Sequence, residues 1–187
     1  MKYILEFLLY CPRVYSGLDH LMVTLARQAT MQGCKVVCVY CDTMDNMPQL
    51  REDIENAGGI IEIVSGQKKQ QAKDIWKLYR KYRPIVVDTH FESRAKIQTC
   101  IYSALFGAKH YTHVHSLLGD AAQYQKKKGI AKRVLLGAYY DMLALFSRKV
   151  LCISKAIYRQ YAVWSYGKCR NIETLYIGTP LCTPTYT

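Results

Sequence analysis

Short apolar runs rich in β-branched residues alternate along the chain with longer stretches of helical character, and no other feature constrains the fold as much. The runs are YILEFLL (3–9), KVVCVY (35–40), IIEIV (60–64), PIVVDT (84–89), KHYTHV (109–114), KVLCIS (149–154) and IETLYI (172–177). Most are too continuously apolar for a sheet with one wet face, so they read as strands covered on both sides. Between them, 17–32, 47–57, 71–82, 92–106, 128–147 and 155–165 predict helices. AGG (57–59), FGAK (106–109) and YGK (166–168) supply the glycines expected where helices stop. Strands joined through helices of this length form parallel pairs with right-handed crossovers. The expected fold class is therefore α/β: a doubly wound, mostly parallel sheet with helices on both faces. Ligands of such sheets bind at the carboxyl ends of the strands, near the reversal of strand order. The segments to search are 10–17, 41–46, 65–70, 89–94, 115–127 and 153–156.

A length of 187 residues suits one domain, and a composition half hydrophobic and 21% charged suits a folded one. No apolar stretch approaches the roughly 20 residues of a spanning helix. MKYILEFLLYCP has a lysine ahead of an apolar run, but it lacks a small-residue cleavage site and Glu6 interrupts it. A buried first strand in a cytoplasmic protein is the expectation. In that compartment the eight cysteines are reduced thiols. CKVVCVYC has the Cys-x3-Cys-x2-Cys spacing of a cluster-binding loop, yet it reads as a strand. At about 3.3 Å per residue, Cys34 and Cys38 stand about 13 Å apart, with Cys41 on the opposite face. Neither a metal nor a disulfide is expected there.

Three post-strand segments carry candidate chemistry. Ser16 precedes Gly17 at the start of the first helix, where unpaired amides suit an anion; the same residues also serve as a plain cap and turn. The dinucleotide fingerprint G-x-G-x-x-G is absent. DTHFESR places Asp88, His90, Glu92 and Arg94 near the ligand edge, although Asp88 and Glu92 could start a helix and His90 could pack on the sheet. In YTHVHS, His113 and His115 share one face of a strand. His115 stands at the strand's exit, while His113 lies deeper, where a histidine is more often a hydrogen-bonded core residue. A metal needs a third and usually a fourth ligand, and no Cys-x-x-Cys or His-Glu-x-x-His motif supplies them. No metal is therefore expected.

Together SGLDHLMVTLARQATMQGCKVVCVY, RPIVVDTHFES, HYTHVHS, VLCISKAIYRQY and ETLYIGTP resemble, in order and spacing, the amino-terminal domain of family 4 glycosyltransferases, which have the GT-B fold. Two positions depart: Asp88 stands where the family's strand-four motif has its first histidine, and Ile177-Gly178-Thr179 lacks the usual asparagine. The resemblance implies a Rossmann-like domain over 1–178, with 179–187 as the start of an interdomain linker or a tail. It implies the acceptor-binding half of a glycosyltransferase of cell-surface polysaccharide or glycolipid synthesis. Such a half is inactive without the carboxy-terminal domain that binds most of the nucleotide-sugar donor. A non-catalytic binding or scaffold subunit of the same fold is the alternative. By the same resemblance His115 is the cleft histidine near the transferred sugar. Ser16, Gly17, His90, Glu92 and Ser116 line the substrate side, and no cofactor beyond the donor itself is required.

The net charge of +12 attracts polyanions without saying which. Its densest part is QYQKKKGIAKR, with Lys126, Lys127, Lys128, Lys132 and Arg133 at the head of a long apolar helix. Basic residues there oppose the helix dipole, so they do not serve the helix itself. They could be an ordinary solvated surface. The enzymes resembled take sugar or lipid-linked acceptors and dock on the inner membrane face, so the partner expected here is an anionic membrane surface and not nucleic acid. Each basic side chain near such a surface contributes about 1 kcal/mol. Binding to anionic but not zwitterionic vesicles, weakening steeply with salt, is expected. It should disappear when all five residues become Gln; equal binding to both vesicle types would contradict it.

Overall fold

The computed structural model describes residues 1–90, 95–115, 130–164 and 171–175. In chain order these form β1 (Lys2–Phe7), α1 (Gly17–Met31), β2 (Cys34–Cys41), α2 (Pro48–Asn56), β3 (Ile60–Val64), α3 (Lys68–Tyr82), β4 (Val86–Thr89), α4 (Ala95–Phe106), β5 (Lys109–Val114), α5 (Ile130–Phe146), β6 (Lys149–Cys152), α6 (Lys155–Trp164) and β7 (Ile172–Thr174). The strands make one seven-stranded sheet in the order β3-β2-β1-β4-β5-β6-β7. Every pairing is parallel. This is the expected doubly wound α/β fold, with the strand order reversing between β1 and β4. The expected linker at 179–187 lies outside the described residues.

Boundaries shift where local chemistry intervenes. β1 ends at Phe7 instead of continuing to residue 9, because Leu9 adopts a left-handed φ of 55°. The amides of Leu8 and Leu9 then both bond the carbonyl of Val39, at 3.0 and 3.1 Å. α1 opens with a capping box in which the Ser16 side chain accepts from the Asp19 amide and the Asp19 carboxylate accepts from the Ser16 amide. α3 ends on Arg83 in the left-handed region, not on glycine, immediately before Pro84. Gly58, by contrast, is required by both backbone and space. Its φ is +85° and an added Cβ would lie 2.5 Å from the Thr30 hydroxyl, which bonds the carbonyls of Ala26 and Ala57.

Because β2 is apolar throughout, it serves both faces. Val36, Cys38 and Tyr40 pack with Met22 and Ala26 of α1 and Leu50 and Ile54 of α2. Val37 and Val39 pack with Ile75, Leu78 and Tyr79 of α3. Cys34 joins the first face and Cys41 takes a contact from Gln71 of α3 on the other, which is the strand geometry expected for that triplet. A further cluster joins Cys100 of α4, Val114 of β5, Leu143 of α5, Val150 of β6, Tyr161 of α6 and Ile172 of β7.

One part of this interior is polar. His110, 2% exposed, has its Nδ1 3.0 Å from the Ser147 hydroxyl. Its Nε2 lies 3.3 Å from the Thr99 hydroxyl, and Thr112 meets Ser147 at 2.9 Å. The network ties β5 to α4 and to the end of α5. Burial pushes the imidazole down from 6.5 to about 4, so it sits neutral. Between those two values the unfolded chain binds a proton that the folded chain refuses, and stability must fall as pH falls. The urea midpoint should therefore decline from about pH 6.5 to 4. The decline should be shallower in His110→Gln, which keeps a donor and an acceptor; an identical slope in the variant would place the effect elsewhere.

Candidate functional site at the strand-order reversal

Strand register builds the site. Glu6 of β1 pairs with Asp88 of β4, and Asp88 pairs with Tyr111 of β5. Paired residues share a face, and the side-chain period along a strand is two. Glu6, Asp88, His90, His113 and His115 therefore belong to one face, at the carboxyl edge beside the β1–β4 reversal. That is where doubly wound sheets bind ligands. The backbone extends the ladder to His90, whose amide bonds the carbonyl of Phe7 at 3.0 Å.

The side chains on this face form a continuous polar line. Glu6, 3% exposed, meets His90 Nε2 at 2.9 Å, and His90 Nδ1 meets His115 Nε2 at 2.8 Å. Beside it, His113 Nε2 meets Asp88 Oδ2 at 3.1 Å. The ammonium of Lys96, at the start of α4 and fully buried, donates to the carbonyl of His113 at 3.0 Å.

Burial sets the charge states. It raises the Glu6 carboxyl well above the ordinary range, with the Asp88 charge adding to the effect and His113 opposing it. Burial also pushes up the Asp88 carboxyl, but the His113 hydrogen bond and the neighbouring imidazoles outweigh it and hold the group at about 2. His113 answers in kind: burial lowers it, and Asp88 more than compensates, so it is raised. Burial lowers His90 to about 4 and His115 to about 3, the latter helped by the other two histidines. The consistent proton arrangement is a neutral Glu6 donating to His90 Nε2 and His90 Nδ1 donating to His115 Nε2. The His115 proton is then on Nδ1. The result is a fixed line of donors running from the core to the rim, alongside an Asp88–His113 ion pair.

The structure thus brings together His90 and His115 of the expected residues. Ser16 and Gly17 lie exposed at the β1–α1 connection on the same edge. The Ser16 amide and hydroxyl are both engaged by the Asp19 carboxylate, at 2.8 and 2.6 Å, so those two groups are not offered to an anion. Asp19 is itself fully buried and also bonds Tyr10 and Tyr40. Glu92, Ser116, Lys126, Lys127 and Lys128 lie outside the described residues. Lys132 and Arg133 fall on α5, and their side chains lie outside the description. Among the described residues, Asp88 pairs with His113. Sequence reasoning missed Glu6, Asp19 and Lys96. The signal for Glu6 was its place as the only charge in the apolar run 3–9, taken there merely as an interruption.

No protein-family description matches the sequence, and no curated protein matches it. Solved structures do. HepE from Anabaena in complex with UDP superposes with a TM-score of 0.64 at 12% identity, covering 95% of this chain and 44% of that one. UDP-GlcNAc 2-epimerase from Neisseria meningitidis bound to UDP-GlcNAc gives a TM-score of 0.56 at 10% identity, over 96% of this chain and 47% of that one. The epimerase from Methanocaldococcus jannaschii gives 0.54 at 12% identity, over 96% and 46%. The domain has the Rossmann-like fold of one half of a GT-B protein. The likeness is one of fold, and the chain spans less than half the length of these structures.

The buried Glu6–His90 bond has a measurable weight. Glu6→Ala leaves a buried imidazole nitrogen without its partner, at a cost of about 1–3 kcal/mol beyond lost packing. Glu6→Gln, which can still bond His90, should retain most of the stability in urea titration. Equal stability of the wild type and Glu6→Ala would show that the bond contributes nothing.

Proposed function

We propose that this chain is the acceptor-side half of a nucleotide-sugar-dependent glycosyltransferase, acting with a carboxy-terminal donor-binding domain and inactive in transfer without it. The observation that carries the reading is the Glu6–His90–His115 line, which ends at the carboxyl edge where the strand order reverses. Support also comes from the fold, shared with structures solved with UDP or UDP-GlcNAc, of which this chain covers less than half.

Departure of a nucleoside diphosphate leaves positive charge on the sugar and negative charge on the phosphate. A neutral imidazole held by two hydrogen-bonded partners behind it needs no reorganisation to donate toward that developing charge. His115 has this role in the proposed reaction, His90 and Glu6 hold it in place, and the α1 start at Gly17 borders the acceptor side. The acceptor is a sugar or lipid-linked sugar of cell-surface polysaccharide or glycolipid synthesis. The basic segment 126–133 would hold the enzyme at the anionic inner membrane face.

The test joins the chain to a donor-binding half and follows transfer from a UDP-sugar. His115→Ala should lower turnover by about a hundred- to a thousandfold, the scale of one preorganised donor. The partly exposed position should leave folding intact by circular dichroism. Unchanged turnover would return His115 to packing and favour a scaffold role for the chain.

A further inference from the structure

His90, His113 and His115 each bring a ring nitrogen within 4.8 Å of those of the other two. Their ring centroids stand 4.8, 5.0 and 5.7 Å apart. Two of the rings are held from behind by carboxyl groups through Nε2, His90 by Glu6 at 2.9 Å and His113 by Asp88 at 3.1 Å. The remaining nitrogen of each is Nδ1. That of His90 meets His115 Nε2 at 2.8 Å, and that of His113 is buried with no hydrogen-bond partner among the described residues. Orphaned buried nitrogens are costly, and such a group calls for a partner.

A carboxylate on the far nitrogen of an imidazole is the arrangement that orients histidine ligands on metals. Three imidazoles with a fourth position open is the donor set of a catalytic zinc site. We propose that His90 Nδ1, His113 Nδ1 and His115 Nε2 hold a divalent transition-metal ion, zinc by the chemistry of the donors, with Glu6 and Asp88 orienting the first two rings. Sequence spacing offered only the pair on β5; the third ligand arrives from β4 because the two strands are neighbours.

A tetrahedral ion with bonds of about 2.0–2.1 Å sets its ligand nitrogens about 3.4 Å apart. The His90–His115 pair opens slightly from 2.8 Å and wider pairs close, within reach of small imidazole rotations. The ion takes the place of the His90–His115 hydrogen bond. The ion displaces the Nδ1 protons of His90 and His113, the Glu6 proton passes to His90 Nε2 and leaves Glu6 a carboxylate, and His115 keeps its proton on Nδ1. His113 Nδ1 gains the partner it lacks. The two carboxylates offset the ion's charge, while the buried Lys96 ammonium adds one positive charge nearby. The surplus favours an anionic oxygen as fourth ligand, on the side where His115 is partly exposed. This inference rests on the cluster alone and does not depend on the glycosyltransferase reading.

The test uses the chelator-treated chain titrated with cobalt, the spectroscopic stand-in for zinc, with no substrate present. One equivalent should bind with the d–d bands of tetrahedral nitrogen coordination, and zinc should displace it. His113→Ala and His115→Ala should each weaken binding at least tenfold. Asp88→Asn, which keeps the ring in place less firmly, should weaken it by about 10–100-fold. His20→Ala, at an exposed position on α1, should change nothing. Circular dichroism on His115→Ala separates loss of the ion from loss of the fold. No bound cobalt under a large excess of metal would overturn the proposal. So would thiolate charge-transfer bands, or binding unaltered in His113→Ala and His115→Ala.

Discussion

A carboxyl group stands in an interior strand of the sheet with 3% of its surface exposed, and the organisation of the site follows from what makes that tolerable. An isolated buried carboxylate is too costly to keep, so Glu6 must be neutral, hydrogen-bonded, or both. His90 supplies the bond, and it can do so because β4 lies next to β1 and pairs Glu6 with Asp88, two residues before His90. The strand-order reversal thus does two jobs. It opens the crevice at the sheet edge, and it sets the acid of one strand beside the imidazole of the next.

From this pair the remainder of the cluster is shared out by charge. Glu6 and Asp88 face each other, and two carboxylates in one buried place cannot both ionise cheaply. Asp88 takes the charge because His113 is beside it; Glu6 gives it up and becomes a donor. One half of the site is therefore an ion pair and the other a neutral hydrogen-bonded line, although both are built from the same two residue types. Lys96 belongs to the same economy, its ammonium held on the backbone of β5 beneath the imidazoles.

The fold was legible in the chain because both its signals are local: continuous apolar runs for doubly covered strands, and glycine or capping residues at helix ends. Departures occurred where a backbone did something unsignalled, as at Leu9 and Arg83, which adopt left-handed conformations without being glycine. The site was half legible. His90 and His115 could be placed at strand exits, and His113 deeper on the same face as His115, from position alone. Their mutual contacts could not, because contact depends on which strands are neighbours, and a sequence states strand order only along the chain. Glu6 illustrates the point: it is separated from His90 by 84 residues, and only the pairing of β1 with β4 makes it a site residue.

The two-residue period carries a consequence for how such a chain can change over generations. Since Glu6, Asp88, His90, His113 and His115 occupy one parity of three adjacent strands, a single-residue insertion or deletion inside β1, β4 or β5 would turn the downstream members to the opposite side of the sheet. The same slip would carry Leu5, Phe7 and Val87 out of their apolar layer. Stability and chemistry are thus protected by a common reading frame within the strands. Changes of length are tolerated only in the connections, which can vary while the polar ladder stays in phase.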